Sequence, residues 1–204
     1  MSHRGGSIPA MRVESEIRAL VEALTPADDL EARHRAECLA WLAGTDDIFR
    51  REKARTPSPH LVAYFLLRDE ADGSVLLVDH IKAGRWLPSG GHVEPGEHPV
   101  ETVRREVVEE LGVPAVFSPR FGERPAFLTV TETVGRPEER HTDVSLWFLL
   151  TGSRDQALTP DLGEFRSVRW WAPREVAAAS PETLDPHMGR MMAKLVEVPA
   201  AGRI

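Results

Sequence analysis

Apolar residues recur along this chain with two different periods, and the change between them falls near residue 57. Over residues 11–24, Val13, Ile17, Leu20, Val21 and Leu24 stand three and four apart, which predicts an amphipathic helix. The stretch "TPADDLEARHRAECLAWLAG" predicts a second helix, with Thr25 as N-cap, Pro26 as first helical residue, acids in the first turn and Gly44 at the end. A short third helix is expected over residues 46–53. "ARTPSPH" then reads as a linker broken by Pro57 and Pro59.

From His60 onward the pattern is that of strands. "HLVAYFLLRDEADGSVLLVDH" reads as two apolar strands around a polar turn containing Asp72-Gly73. A helix follows from about Pro99 to Leu111, and strands resume with "AFLTVTETV", "DVSLWFLLT" and "FRSVRWW". Pro173 opens a short helix through Ala179, and "PHMGRMMAKLVEV" predicts a last one. This order indicates an α/β or α+β sandwich preceded by helices. Residues 1–56 form a helical extension and 57–204 the main domain.

Composition narrows the function classes. A chain of 204 residues with 42% hydrophobic and 28% charged residues has the make-up of an ordinary globular protein. A net charge of −7 argues against a dedicated binder of nucleic-acid polymers or anionic membranes. The single cysteine, Cys38, allows no internal disulfide and no thiolate metal site, and reads as a packed thiol. Apolar runs such as "LVAYFLL" are too short to span a bilayer, and "MSHRGGSIPA" lacks the apolar core of a signal peptide. A cytoplasmic location is the expectation.

One helix carries an electrostatic conflict. In "GGHVEPGEHPVETVRREVVEELGV", Glu106, Glu109 and Glu110 lie at spacings where like charges cost about 0.2–0.5 kcal/mol per pair. Projected at 100° per residue, Val100, Val103, Val107 and Leu111 form the core face within about 80°. Glu106 and Glu110 fall about 40° apart at its edge. Carboxylates half-shielded there repel strongly, and a bound cation would relieve the repulsion. An oxygen-only site prefers magnesium or manganese to zinc. Arg105 can pair with Glu101 and Glu109, one turn to either side. Glu97 is placed to accept backbone N–H bonds, and Gly90, Gly91 and Gly96 permit conformations closed to other residues.

Gly91, five residues, Glu97, seven residues, then Arg105-Glu106-Val107-Val108-Glu109-Glu110-Leu111-Gly112-Val113 resembles the signature box of the Nudix hydrolases, with every specified position filled. Seven specified polar or glycine positions coincide by chance about once in 10⁸ starts. The resemblance implies an α/β/α sandwich around a mixed sheet and Mg²⁺- or Mn²⁺-dependent hydrolysis of a nucleoside diphosphate linked to another moiety. It implies Glu106, Glu109, Glu110 and the Gly90 carbonyl as metal ligands, supported by Arg105 and Glu97. A carboxylate must accept a proton from the attacking water. Glu106 is one candidate, and Glu164 or Asp161 from a later loop are others.

Substrate candidates are more scattered. "RHTDVSLWFLL" is similar to a strand of mutator-type members that clear oxidised nucleoside triphosphates. On a strand His141, Asp143 and Ser145 share one face, so His141 or Arg140 could reach substrate. Arg85 and Lys82 are candidate phosphate-binding cations, with Arg124 a further one. The proline of ADP-ribose members and the tyrosine of dinucleoside-polyphosphate members are replaced by Leu128 and Val130. A small nucleotide, chiefly a nucleoside triphosphate, is the expected substrate. The alternatives are an ADP-ribose or nucleotide-sugar pyrophosphatase and a non-catalytic nucleotide-sensing domain. The N-terminal helices match no catalytic part of the family; they are expected to cover one face of the sheet, with a homodimer contact or closure over the substrate as the alternatives. Trp41, Trp86 and Trp147 are read as core residues, with base stacking as the alternative.

Overall fold

The computed structural model describes residues 8–45, 47–51, 57–133 and 140–197, with residues 8–11 and 197 as backbone only. Its centre is a pair of long parallel strands, β1 (His60–Asp69) and β6 (Thr142–Gly152), in register from His60↔Asp143 to Asp69↔Gly152. Both are buried over most of their length, as strands covered on two faces must be, which explains their near-continuous apolar runs. β5 (Phe127–Glu132) pairs antiparallel with β6 at one edge. On the other side of β1 lie β2 (Val75–His80) and β4 (Ser89–His92), while β3 (Arg85–Leu87) and β7 (Phe165–Trp171) pair with β2. The expected turn joins β1 to β2, with Asp72 Oδ1 accepting the Ser74 amide at 2.8 Å.

Helices cover both faces. α3 (Pro99–Leu111) lays Val100, Val103, Val107 and Leu111 against Leu61, Ala63, Phe65 and Leu67 of β1. Each such buried side chain contributes about 1.5–3 kcal/mol. His98 caps its N-terminus through Nδ1, and Gly112, at φ 69°, closes its C-terminus where a Cβ would be strained. The opposite face packs on α4 (Pro173–Ala178) and α5 (Met188–Glu197) through Val176, Met188, Met191 and Leu195. The result is the expected α/β/α sandwich around a mixed sheet.

α1 (Ile8–Ala23) and α2 (Asp29–Gly44) join the α3 layer, where Ile17, Val21 and Cys38 share one apolar cluster with the sheet. Burial pushes the Cys38 thiol up to about 12, so it is an inert packed group. The N-cap of α2 is Asp28 rather than Thr25: its carboxylate accepts the Glu31 amide at 2.8 Å and also holds Arg190 of α5. Pro26 therefore lies in the connection and not in the helix.

The short helix expected over 46–53 does not form in its described part, residues 47–51; residues 46, 52 and 53 lie outside the described set, as do 54–56 of the linker. Ile48 and Phe49 are both buried, and the Ile48 carbonyl accepts the Leu61 amide at 2.9 Å. Pairing with the start of β1 wins over helix formation. The Asp47–Arg51 pair, spaced as on a helix, closes an irregular turn instead.

Glu31, fully buried, links the two layers around the β5 edge. Its Oε1 accepts the Leu128 amide of that strand at 3.2 Å and meets Lys194 Nζ of α5 at 2.7 Å, while Oε2 accepts the Ala27 amide at 2.7 Å. An otherwise unpaired edge N–H is thus satisfied by a side chain. Lys194→Ala, which strands this carboxylate, is expected to cost about 3–5 kcal/mol in urea unfolding. The double replacement Glu31→Gln/Lys194→Met should recover much of it. A single-variant cost under about 1 kcal/mol would show the pair to behave like a surface bridge.

Candidate active site

The site lies where β4 runs between β1 and α3. β4 pairs with β1 so that Gly90 faces Tyr64 and Gly91 faces Ala63. A Cβ on Gly90, whose φ is 138°, would fall 2.2 Å from the Ala63 carbonyl oxygen. A Cβ on Gly91 would fall 2.1 Å from Glu106 Oε1. The two glycines let strand backbone approach the acidic face of α3 closely enough for the Gly90 amide to donate to Glu110 Oε2 at 2.9 Å. "WLPSGGH" is therefore strand in two short pieces, β3 and β4, and not a plain loop.

Glu110 is buried and Glu106 nearly so, whereas Glu109 is well exposed. Burial, then the neighbouring Glu106, pushes the Glu110 carboxyl up to about 9; burial likewise raises Glu106. Arg105 is the organising cation. Its Nε and Nη2 grip both oxygens of Glu97 at 3.1 and 3.0 Å, and its Nη1 reaches Glu106 at 2.7 Å and Glu109 at 3.3 Å. Arg105 does not pair with Glu101, which meets Arg104 at 3.4 Å: the fork is already spent on Glu97 across the loop. Glu97 also accepts the Glu94 amide at 3.1 Å and the Thr102 hydroxyl at 2.8 Å. Burial raises its carboxyl, and these bonds, led by Arg105, more than offset that and leave it lowered.

A third piece comes from the loop before β7. The Thr159 and Asp161 amides donate to the Leu111 and Glu110 carbonyls at 2.8 and 2.9 Å, satisfying orphan acceptors at the end of α3. Glu164 is thereby held near enough to raise the carboxyls of both Glu106 and Glu110. Its carbonyl accepts the Ile81 amide at 3.0 Å, which brings in the turn carrying exposed Lys82. Half-buried Arg85 follows on β3, close enough to influence the half-buried Asp185. Asp161 turns its own carboxylate to the Gly163 amide at 2.8 Å.

A buried carboxylate, a second largely buried one, an exposed third and a loop carboxylate close enough to raise the first two suit a polyanion only when a cation accompanies it. A model of the NUDIX domain matches residues 58–195. The chain belongs to the NUDIX family. A nucleoside triphosphatase NudI from Salmonella agona (strain SL483) is 34% identical over 116 residues, covering 56% of this chain and 77% of that protein. A NudI from Salmonella heidelberg (strain SL476) is 34% identical over 113 residues, 52% of this chain and 78% of the other. A MutT protein from Methanosarcina mazei Go1 superposes with a TM-score of 0.54 at 23% identity, covering 67% of this chain and 91% of its own. The protein is thus a Nudix hydrolase, an enzyme of a family that acts on small nucleotides with a divalent metal.

The carboxylates fit such an ion. Raised carboxyls at Glu106 and Glu110 mark a site short of positive charge, and Gly91 leaves open the space that a Cβ would fill against Glu106. The three Nudix-box glutamates do not draw together into one compact group, since Glu109 leans out to Arg105. Arg124 lies apart: exposed, it donates to the Phe121 carbonyl at 3.2 Å and lines a cleft of about 520 Å³ with Leu20, Leu24 and Lys194. His141 and Asp143 do share a face, but they meet His60 and His92 there. His60, His92 and Arg50 were not among the candidates. His92 lies inside the quoted box and gave a chemical signal in itself, while the other two are brought in only by strand register and by the turn at Ile48. Trp147 is core, fully buried with its Nε1–H on Thr129, and Trp86 packs edge-on against Trp171. Among the described residues no helix is long and apolar enough to cross a membrane.

Two predictions follow from this geometry. Gly91→Ala should displace the Glu106 carboxylate and depress turnover with little loss of stability. Gly90→Ala must move backbone and should lower the melting temperature, so thermal unfolding and turnover separate the pair. The second concerns pH. A carboxyl whose folded pKa is raised stabilises the fold fully below its unfolded value of 4.5, and the contribution is lost as pH climbs toward about 9. Metal-free protein should therefore become less stable over that window. Glu110→Gln should flatten the slope, and added Mg²⁺ should stabilise wild type increasingly as pH rises. An unchanged slope in the variant would remove Glu110 as its source.

Proposed function

We propose that the enzyme hydrolyses the pyrophosphate linkage of nucleoside triphosphates, with Mg²⁺ or Mn²⁺ held by Glu106, Glu109, Glu110 and the Gly90 carbonyl. The observation that carries this reading is the pair of raised, shielded carboxylates, Glu106 and Glu110, set against a glycine strand. The nucleoside triphosphatase relatives favour the substrate class. When bound, the divalent ion supplies charge neutralisation at the phosphate oxygens and acidification of water.

The chain's own groups do the rest. The Gly90 amide fixes one oxygen of Glu110, and Arg105 fixes one oxygen of Glu106, so each carboxylate presents its other oxygen in a set orientation. Glu97 holds Arg105 in a two-point grip, so that the guanidinium aligns Glu106 without turning toward substrate. A carboxylate then takes the proton of the water that attacks phosphorus. Glu106 and Glu164 are the two candidates, Glu164 being exposed and mounted on a loop bonded to α3. Lys82 and Arg85, on the adjoining turn and strand, suit the outer phosphates.

The test is a panel of nucleoside triphosphates, oxidised nucleotides, ADP-ribose and nucleotide sugars incubated with Mg²⁺ or Mn²⁺, with products identified. Release of pyrophosphate or phosphate from a triphosphate is the expected outcome. Turnover of ADP-ribose or a nucleotide sugar alone would move the substrate class. Glu110→Gln should lower kcat by at least about 10³-fold, and Glu164→Gln by about 10²-fold if that residue is the base. Full activity in Glu164→Gln would leave Glu106 as the acceptor.

A further inference from the structure

On the sheet face turned away from α3, the starts of β1 and β6 and the end of antiparallel β4 bring together His60 of β1, His92 of β4, His141 just before β6 and Asp143 of β6. One ligating atom from each lies within 4.8 Å of all the others, and among the described residues no other group of three or more such side chains does so. Asp143 Oδ1 is 3.1 Å from His60 Nε2, 3.3 Å from His141 Nε2 and 4.0 Å from His92 Nε2. In a tetrahedron with metal–nitrogen bonds of about 2.0–2.1 Å, ligand atoms stand about 3.3 Å apart. The four atoms therefore need only small shifts to enclose an ion.

The hydrogen bonding of His60 makes the arrangement hard to explain without one. The ring is fully buried, and its Nδ1 stands 2.7 Å from the Pro57 carbonyl, which can only accept, so Nδ1 carries the proton. Without a second proton on the ring, the His60 Nε2 lone pair faces the Asp143 carboxylate, and His60 Nε2, His92 Nε2 and Asp143 Oδ1 are buried with no proton between them. The competing way to fill that gap is a second proton on His60 or His141, which would donate to Asp143 at 3.1 or 3.3 Å. Three unsatisfied acceptor-capable atoms converging on one point cost several kcal/mol unless something electropositive sits among them. A carbonyl on the far ring nitrogen is the usual partner of a metal-bound imidazole, fixing its tautomer. The His141 ring is similarly steadied by Thr133, whose Oγ1 lies 3.4 Å from Nδ1.

We propose that His60, His92, His141 and Asp143 form a second metal site that takes a zinc-class divalent ion, distinct from the oxygen-ligand site of the box. Three imidazoles and one carboxylate select zinc, or cobalt as its stand-in, over magnesium. Arg50 lies close enough to feel the charge of Asp143, and the ion must work against that positive charge. The ion ties the starts of β1 and β6 to the end of β4, one residue from Gly91, and so steadies the strand that positions the glutamates.

The full chain, stripped with chelator and saturated with Mg²⁺, is titrated with Zn²⁺ by calorimetry and with Co²⁺ by visible absorption. One equivalent of Zn²⁺ per chain and the intense bands of four-coordinate Co²⁺ are expected. His92→Gln and Asp143→Asn, chosen because their side chains are less enclosed than His60, should each weaken zinc binding at least about tenfold and abolish the bands while circular dichroism stays native. Glu110→Gln should change neither signal. The proposal is overturned if no zinc binds beside Mg²⁺, if the bands survive in both variants, or if Glu110→Gln removes them. Zinc binding by a chain inactive on every nucleotide would sustain this site and sink the hydrolytic reading, so the two fail separately.

Discussion

The close passage of β4 between β1 and α3 is the constraint on which the rest of the site depends. Two adjacent glycines allow it: one carries a backbone conformation and a contact with the Ala63 carbonyl that side chains forbid, and the other faces the Glu106 carboxylate at a distance no Cβ could share. With the strand there, the Gly90 amide reaches Glu110, which is buried, and Glu106 is largely shielded from water. Their raised carboxyls are the consequence, and the need for a cation is the consequence of that. Arg105 does not neutralise the pair, because its fork is shared among Glu97, Glu106 and Glu109. It orients the carboxylates and leaves the deficit of positive charge in place.

The N-terminal helices act on this arrangement indirectly. They complete the α3 layer, and Glu31 binds α2, the β5 edge and α5 into one unit. Beyond α2, the irregular stretch 47–51 buries Ile48 and Phe49 and pairs with the start of β1. That pairing places Arg50 where its charge is felt by Glu106, Glu94 and Asp143. The extension therefore delivers a cation to the ground between the two clusters of potential ligands. Those clusters differ in kind: carboxylates on α3 suit a hard ion, while imidazoles at the ends of β1, β4 and β6 suit a softer one.

The apolar face of α3, the order of strands and helices, and the spacing of Glu97, Arg105, Glu106, Glu109 and Glu110 were legible in the sequence because each rests on local periodicity or fixed separation along one element. The errors share a cause as well. Thr25 and Asp28 both suit an N-cap, and the choice was made by Arg190, 162 residues away. Residues 47–51 had helical spacing of charges, but pairing with β1 was the stronger competitor. Arg105 could have met Glu101 on its own helix, and a two-point grip on Glu97 across the loop prevailed.

What the sequence determined by itself was the family chemistry: a helix with one apolar stripe, three carboxylates at its margin and a glycine-rich approach, all contained within 24 consecutive residues. Tertiary structure decided how deep each carboxylate lies, which partner holds it, and that the Glu164 loop docks on the end of α3. It also decided that His60, His92, His141 and Asp143 meet. The physical reason is strand register, because parallel pairing of β1 with β6 sets His60 opposite Asp143 across more than eighty residues of chain. No periodicity along one segment encodes which residue of a distant strand will lie beside it.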